Sequence, residues 1–103
     1  MLNQQPGAAM KVLKLEGELT IFRATELKSL LLGDPRPSVI DLSGVTEIDS
    51  AGIQLLMLAR KLAVLSQAGF QLQAPSAEVI EVFELLRLTD LFETPIAGGL
   101  YES

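Results

Sequence analysis

Six consecutive residues, Glu47-Ile48-Asp49-Ser50-Ala51-Gly52, are the most chemically organised stretch of the chain. Two carboxylates and a hydroxyl stand at the start of the longest run with helical periodicity, Ala51 to Gln67. A helix start leaves about four backbone N–H groups unpaired and carries partial positive charge. A serine there is exposed by construction, and phosphorylation of Ser50 would bring about −1.5 to −2 charges to a position suited to anions. Gly52 leaves room for another backbone to approach. The same residues also have a plain structural reading, with Asp49 or Ser50 as an ordinary N-cap and Gly52 a matter of packing. A hydrolytic nucleophile fits poorly. The esterase elbow needs G-x-S-x-G, but Ile48 stands where its first glycine belongs, and the chain has no His to act as base.

The helix that Ser50 introduces carries a second signal. Projected at about 100° per residue, Leu55, Leu58, Ala59, Leu62 and Ala63 cluster as a core face. Ile53, Met57 and Val64 fall on nearly the opposite side, interrupted by Arg60 and Lys61. Apolar residues on both faces mean either deep burial or a surface made for a partner. Full burial is hard to arrange in a small domain, so Ile53, Met57, Arg60, Lys61 and Val64 are candidate partner-binding residues. Glu78, Glu81 and Glu84 recur at i, i+3 and i+6 on a later helix, a pattern that fits a solvated face better than a metal site. Asp41 is either an exposed strand position or a helper near the Ser50 loop.

Composition narrows the chemistry further. The chain has 103 residues with 13 acidic and 8 basic side chains, a net charge of −5 that argues against a nucleic-acid surface. Cys and His are both absent, so disulfides, thiol catalysis and His or thiolate metal sites are excluded. The commonest acid–base agent near neutral pH is missing too. The expectation is therefore a non-enzyme without cofactor or metal. At 49% hydrophobic residues and a mean hydropathy of +0.37, the chain can bury a real core. No apolar window reaches membrane-spanning length, and the first ten residues do not read as a secretory signal. These features predict a soluble, cytoplasmic, single domain.

The elements that must position Ser50 read as follows. Residues 1–9 form a flexible arm or short edge strand. A strand starts at Met10 and ends in a turn marked by Gly17 and Thr20. Phe22, Glu26, Leu27, Leu30 and Leu31 share helical spacing, and Gly33-Asp34-Pro35 closes that helix. Ser38 to Leu42 is a buried strand, and Ser43 to Ser50 a loop. Phe70 to Gln73 alternates as a half-buried strand. Ser76 caps a helix reaching about Arg87, with Glu78 in its first turn. Leu88 to Ile96 returns to the core, and residues 97–103 are a tail. The domain thus spans residues 10–96. Alternating strands and helices predict an α/β domain with a largely parallel sheet, in which the N-terminal strand could pair antiparallel at an edge.

Three segments of this text resemble the STAS domain family: Leu15-Glu16-Gly17-Glu18-Leu19, Val39 to Val45 (VIDLSGV) and Ile48-Asp49-Ser50-Ala51-Gly52. The chain is similar in particular to stand-alone bacterial anti-sigma factor antagonists, over about residues 11–92. The resemblance implies a single STAS-like domain, with a mixed, largely parallel sheet of about four or five strands and about three main helices. It also implies a partner switch. The serine after the aspartate of D-S-x-G, here Ser50 within the loop Asp49, Ala51, Gly52, is phosphorylated by a cognate serine kinase that often doubles as an anti-sigma factor, and a phosphatase resets it. Charge beside an apolar contact patch disfavours the bound partner. Such a module is a phosphoprotein of transcription regulation that binds without catalysing, as a monomer or weak homodimer. Two positions depart from the pattern. Thr20 replaces the aspartate of G-E-L-D, and Ala51 replaces a second serine, leaving Ser50 as the phosphorylatable residue of the motif. GELTIFRATELKSLL also looks like STAS proteins of chemotaxis-type signalling clusters. Other small STAS proteins that resemble this one are constitutive subunits of a phospholipid ABC transporter and clamp its ATPase, which keeps that alternative open.

Overall fold

A computed structural model describes residues 11–93. Within them, β1 (Val12–Leu19), β2 (Val39–Ile48) and β3 (Gln71–Gln73) form one sheet in the order β1-β2-β3, with both pairings parallel. α1 (Ala24–Leu32), preceded by a 3-10 turn at Ile21–Arg23, connects β1 to β2, and α2 (Ser50–Leu65) connects β2 to β3. α3 (Ala77–Leu85) and the short α4 (Asp90–Glu93) follow. The α/β class and the three main helices agree with the expectation. The described residues supply three strands rather than four or five, and β1 pairs parallel, not antiparallel. The expected arm at residues 1–9 and tail at residues 97–103 lie outside the described residues, as do the outermost residues of the 10–96 domain.

Each element follows from its burial pattern. Leu15 and Leu19 of β1 are buried, while Lys14, Glu16 and Glu18 are exposed, the period of two of a strand with one covered face. β2 is the central strand and buries Val39, Ile40, Leu42, Val45 and Ile48. α1 and α2 pack on each other, α3 packs on β2, and α4 packs on β3. Leu27 and Leu31 of α1, Leu56 and Ala59 of α2, and Val79 and Phe83 of α3 meet the strands in one core. Phe83 stacks at a tilt against Phe92 with ring centroids 4.8 Å apart, and Leu88, Leu91 and Phe92 close the core half-buried. The Ser76 hydroxyl accepts from the Val79 N–H at 3.3 Å, the cap read from the sequence.

Two boundaries shift, each for a physical reason. The segment read as a loop from Ser43 to Ser50 is strand as far as Ile48, because β1 continues through Gly17 to Leu19 and pairs with it: Glu16 with Gly44, Gly17 with Val45, Leu19 with Ile48. Gly17 lies inside β1 at φ +79, in the left-handed region open to glycine, and the register shifts beside it. Phe22, expected on the apolar face of α1, instead belongs to the 3-10 turn and is 89% exposed.

Candidate functional site

Asp49, the residue between β2 and α2, builds the site. Its backbone is extended, and its Oδ1 accepts from the Gly52 N–H at 3.1 Å, which makes Asp49 rather than Ser50 the N-cap. Its Oδ2 accepts from the Ile21 N–H at 3.0 Å. One carboxylate therefore ties the 3-10 turn to the first turn of α2. These N–H groups, that of Ile21 foremost, hold the Asp49 carboxyl below the ordinary carboxylate value, with desolvation opposing them. The turn is held from its other side by Arg23. Its Nη1 donates to the carbonyls of Glu16 and Glu18 at 2.7 and 2.6 Å, and its Nε to Glu26 Oε1 at 3.0 Å.

Gly52 is required by contact rather than by dihedral angle. A Cβ there would run into the Leu19 carbonyl oxygen and lie 2.9 Å from both the carbonyl carbon and the Cβ of Leu19. The close backbone approach read from the sequence thus has a definite partner, the end of β1. Thr20, where the family pattern has aspartate, is buried, and its hydroxyl donates to Glu18 Oε1 at 3.0 Å.

Ser50 opens α2 and is exposed, and among the described residues its hydroxyl has no hydrogen-bond partner. On a 3.6-residue repeat, Met57, Leu58, Lys61, Val64 and Leu65 all point within roughly 80° of the direction of Ser50. All five are exposed, Met57 at 43%, Leu58 at 39%, Val64 at 47% and Leu65 at 70%. The stripe extends about 20 Å from Ser50 to Val64 at the helical rise of about 1.5 Å per residue. Beside it, α2 and α4 flank a groove lined by Gln54, Met57, Leu58, Arg60, Lys61, Val64 and Leu91.

The structure therefore brings Ser50, Met57, Lys61 and Val64 onto one surface, with Arg60 half-buried at its margin. Ile53 does not belong to it. Ile53 is 5% exposed and part of the core cluster, on a helix that packs against the 3-10 turn as well as against α1. Leu58, assigned to the core by projection, instead joins the exposed stripe. Asp41 accepts from the Ser43 N–H at 2.8 Å within β2, roughly 25 Å along the strand from Asp49 at about 3.3 Å per residue, and is no helper of the Ser50 loop. Glu78, Glu81 and Glu84 are exposed on α3. Ile21 and Phe22 lie beside Asp49, although spacing and residue type do not single them out as site residues. They are 59% and 89% exposed, on the turn that Asp49 ties to the start of α2, and their signal was an apolar pair directly after the G-E-L-T stretch.

The family model described as "Mlab, STAS domain" matches residues 2–93. Among solved structures, the chain is similar to a sulfate transporter family protein from Wolinella succinogenes, with 18% identity, 79% of this chain and 69% of that chain covered, and a TM-score of 0.62. No curated protein matches the chain significantly. Among the described residues no helix is long and apolar enough to cross a membrane.

Proposed function

The chain belongs to the STAS domain family, and from that premise we propose that it is a non-catalytic interaction module in cytoplasmic signalling, switched by phosphorylation of Ser50. Unmodified, it binds a cognate serine kinase, an anti-sigma factor or a related regulator through the exposed side of α2. Phosphorylated, it releases that partner until a phosphatase resets it. The observation that carries this reading is the shared direction of Ser50 and the stripe Met57, Leu58, Lys61, Val64, Leu65. A phosphate adds about −1.5 to −2 charges at the head of that stripe. A partner pressed on Met57 and Leu58 would have to desolvate that charge against apolar surface, and an unpaired buried charge is strongly unfavourable.

A second reading is a constitutive subunit that clamps the ATPase of a phospholipid ABC transporter. The amount of aliphatic surface on α2 favours it, since permanent interfaces are more apolar than transient ones. In that role Ser50 is a contact and not a switch.

Mass spectrometry of the protein recovered from its native host, with phosphatases inhibited, separates the two when combined with capture by Ser50→Ala and Ser50→Asp. The switch predicts a singly phosphorylated fraction mapped to Ser50, and a partner that Ser50→Ala retains and Ser50→Asp loses. Unmodified protein bound to a transporter ATPase in both variants would replace the switch with the constitutive subunit.

A further inference from the structure

The chemistry of the α2 face says more about its partner than that it is a protein. The chain carries a net charge of −5, yet α2 from Ser50 to Leu65 contains no acidic residue and carries Arg60 and Lys61. Among the described residues the ion pairs are Lys14–Glu16 and Arg23–Glu26, and neither involves those two cations. Both line the groove between α2 and α4 together with Met57, Leu58, Val64 and Leu91, and among the described residues no carboxylate lines it with them. A largely apolar groove carrying two cations without an ion pair among the described residues, on a molecule of net charge −5, is complementary to one kind of occupant.

We propose that the groove receives an amphipathic helix of net negative charge from the partner protein, whose aliphatic side seats on Met57, Leu58, Val64 and Leu91 while its carboxylates meet Arg60 and Lys61. This inference rests on the docking face argued above and adds the chemistry of what docks. Helix-in-groove binding uses anchors at i, i+3 or i+4 and i+7. Met57, Leu58, Lys61, Val64 and Leu65 present that repeat from this side. Opposite charge at the rim raises the association rate and rejects wrong partners. An anionic bilayer shares the taste for basic amphipathic helices, but two cations on a molecule of net charge −5 offer it little net attraction. The same geometry gives Ser50 a second means of release. A phosphate at the head of the face opposes an acidic helix directly, in addition to its desolvation penalty.

The test uses the full chain and a displayed library of random helical peptides, selected on the wild type and counter-selected on Met57→Asp. Recovered peptides are expected to be amphipathic and acidic. Their affinity should fall roughly three- to tenfold in Arg60→Gln/Lys61→Glu, as exposed charge pairs do, and the difference should vanish between about 0.05 M and 0.5 M salt. Lys61→Glu alone, at an exposed position, should show the same sign if Arg60→Gln disturbs packing. Peptides that need Met57 but are neutral or basic, and indifferent to both cations, would overturn the acidic helix and leave the docking face standing. Acidic peptides that need the cations but ignore Ser50→Asp would retain the inference and remove the switch. Three further outcomes overturn the inference: no peptide enriched, binding instead to vesicles rich in phosphatidylglycerol, or self-association through α3, with its exposed Glu78, Glu81 and Glu84, that the charge changes abolish.

Discussion

Gly52→Ala sets two effects of opposite sign against each other. Alanine is the better helix former by about 1 kcal/mol in a helix interior. If propensity alone mattered, the variant would melt higher. The structure argues otherwise, because the new Cβ meets the Leu19 carbonyl group and the Leu19 Cβ, and Leu19 is 1% exposed. Those obstacles are the backbone and packed side chain of β1, which no rotamer change removes. Overpacking of this kind costs about 1–3 kcal/mol. Taking the upper end and subtracting the propensity gain leaves about 2 kcal/mol of destabilisation. For a domain of roughly 60–100 residues each kcal/mol is worth about 4–8 °C, so the melting temperature should fall by about 8–16 °C. Thermal denaturation followed by far-UV circular dichroism reads this directly. Gly44→Ala is the internal control. Its nearest obstacle is Glu16 Cγ at 2.7 Å, on a side chain 68% exposed that can swing away, and its drop should be less than half as large. A Gly52→Ala protein that melts at or above the wild type would refute the close contact between α2 and β1.

Ile53→Ala should destabilise by about 2–4 kcal/mol as a buried large-to-small change, whereas Met57→Asp should leave the melting temperature within a few degrees and weaken partner capture; equal destabilisation would put both side chains in the core. The Asp49 carboxyl lies below its ordinary value of 3.8 in the folded state, so its contribution to stability is present above that value and is lost as pH falls through 3.8 towards the lower folded one. Asp49→Asn should therefore be less stable at neutral pH, with a difference from wild type that narrows in acid titrations below pH 3.8; a constant difference would contradict the ionised cap. Phe22→Ala should cost little stability at 89% exposure, and loss of partner affinity in calorimetry would extend the docking surface to the 3-10 turn, while unchanged affinity would confine it to α2.

The alternation of strand and helix was legible because the apolar periods change between two and 3.6 along the chain. The reach of β2 was not. Ser43, Gly44 and Thr46 have the composition of a loop, and only the long-range pairing of the Gly44 to Ile48 stretch with Glu16 to Leu19 of β1 makes it strand. Periodicity likewise separated Met57 and Val64 from the core but misplaced Ile53 and Leu58. A wheel treats all turns of a helix alike and does not see the neighbours of α2, which packs on α1, the 3-10 turn, β1 and β2. The choice between Asp49 and Ser50 as cap stayed open in the sequence because both residue types cap equally well. The Gly52 N–H on its Oδ1 makes Asp49 the cap, and its second oxygen is held by the Ile21 N–H, 28 residues away.

The uniformly parallel sheet has one more consequence. Among the described residues every strand runs the same way, so the connections leaving the carboxyl ends of β1, β2 and β3 emerge together: the Phe22 turn, Asp49 with Ser50, and Ala74 to Ser76. The returns from α1 and α2, residues 33–38 and 66–70, are gathered at the other end of the strands. Chemistry in such sheets collects outside the carboxyl ends of the strands. The two ends are therefore unequally free to vary. A residue inserted at the carboxyl end would separate Asp49 from Ile21 or shift Ser50 around its helix. An insertion near Arg36 or Ala68 would lengthen a loop and leave the exposed stripe of α2 in place, which makes that end the place to attach a label.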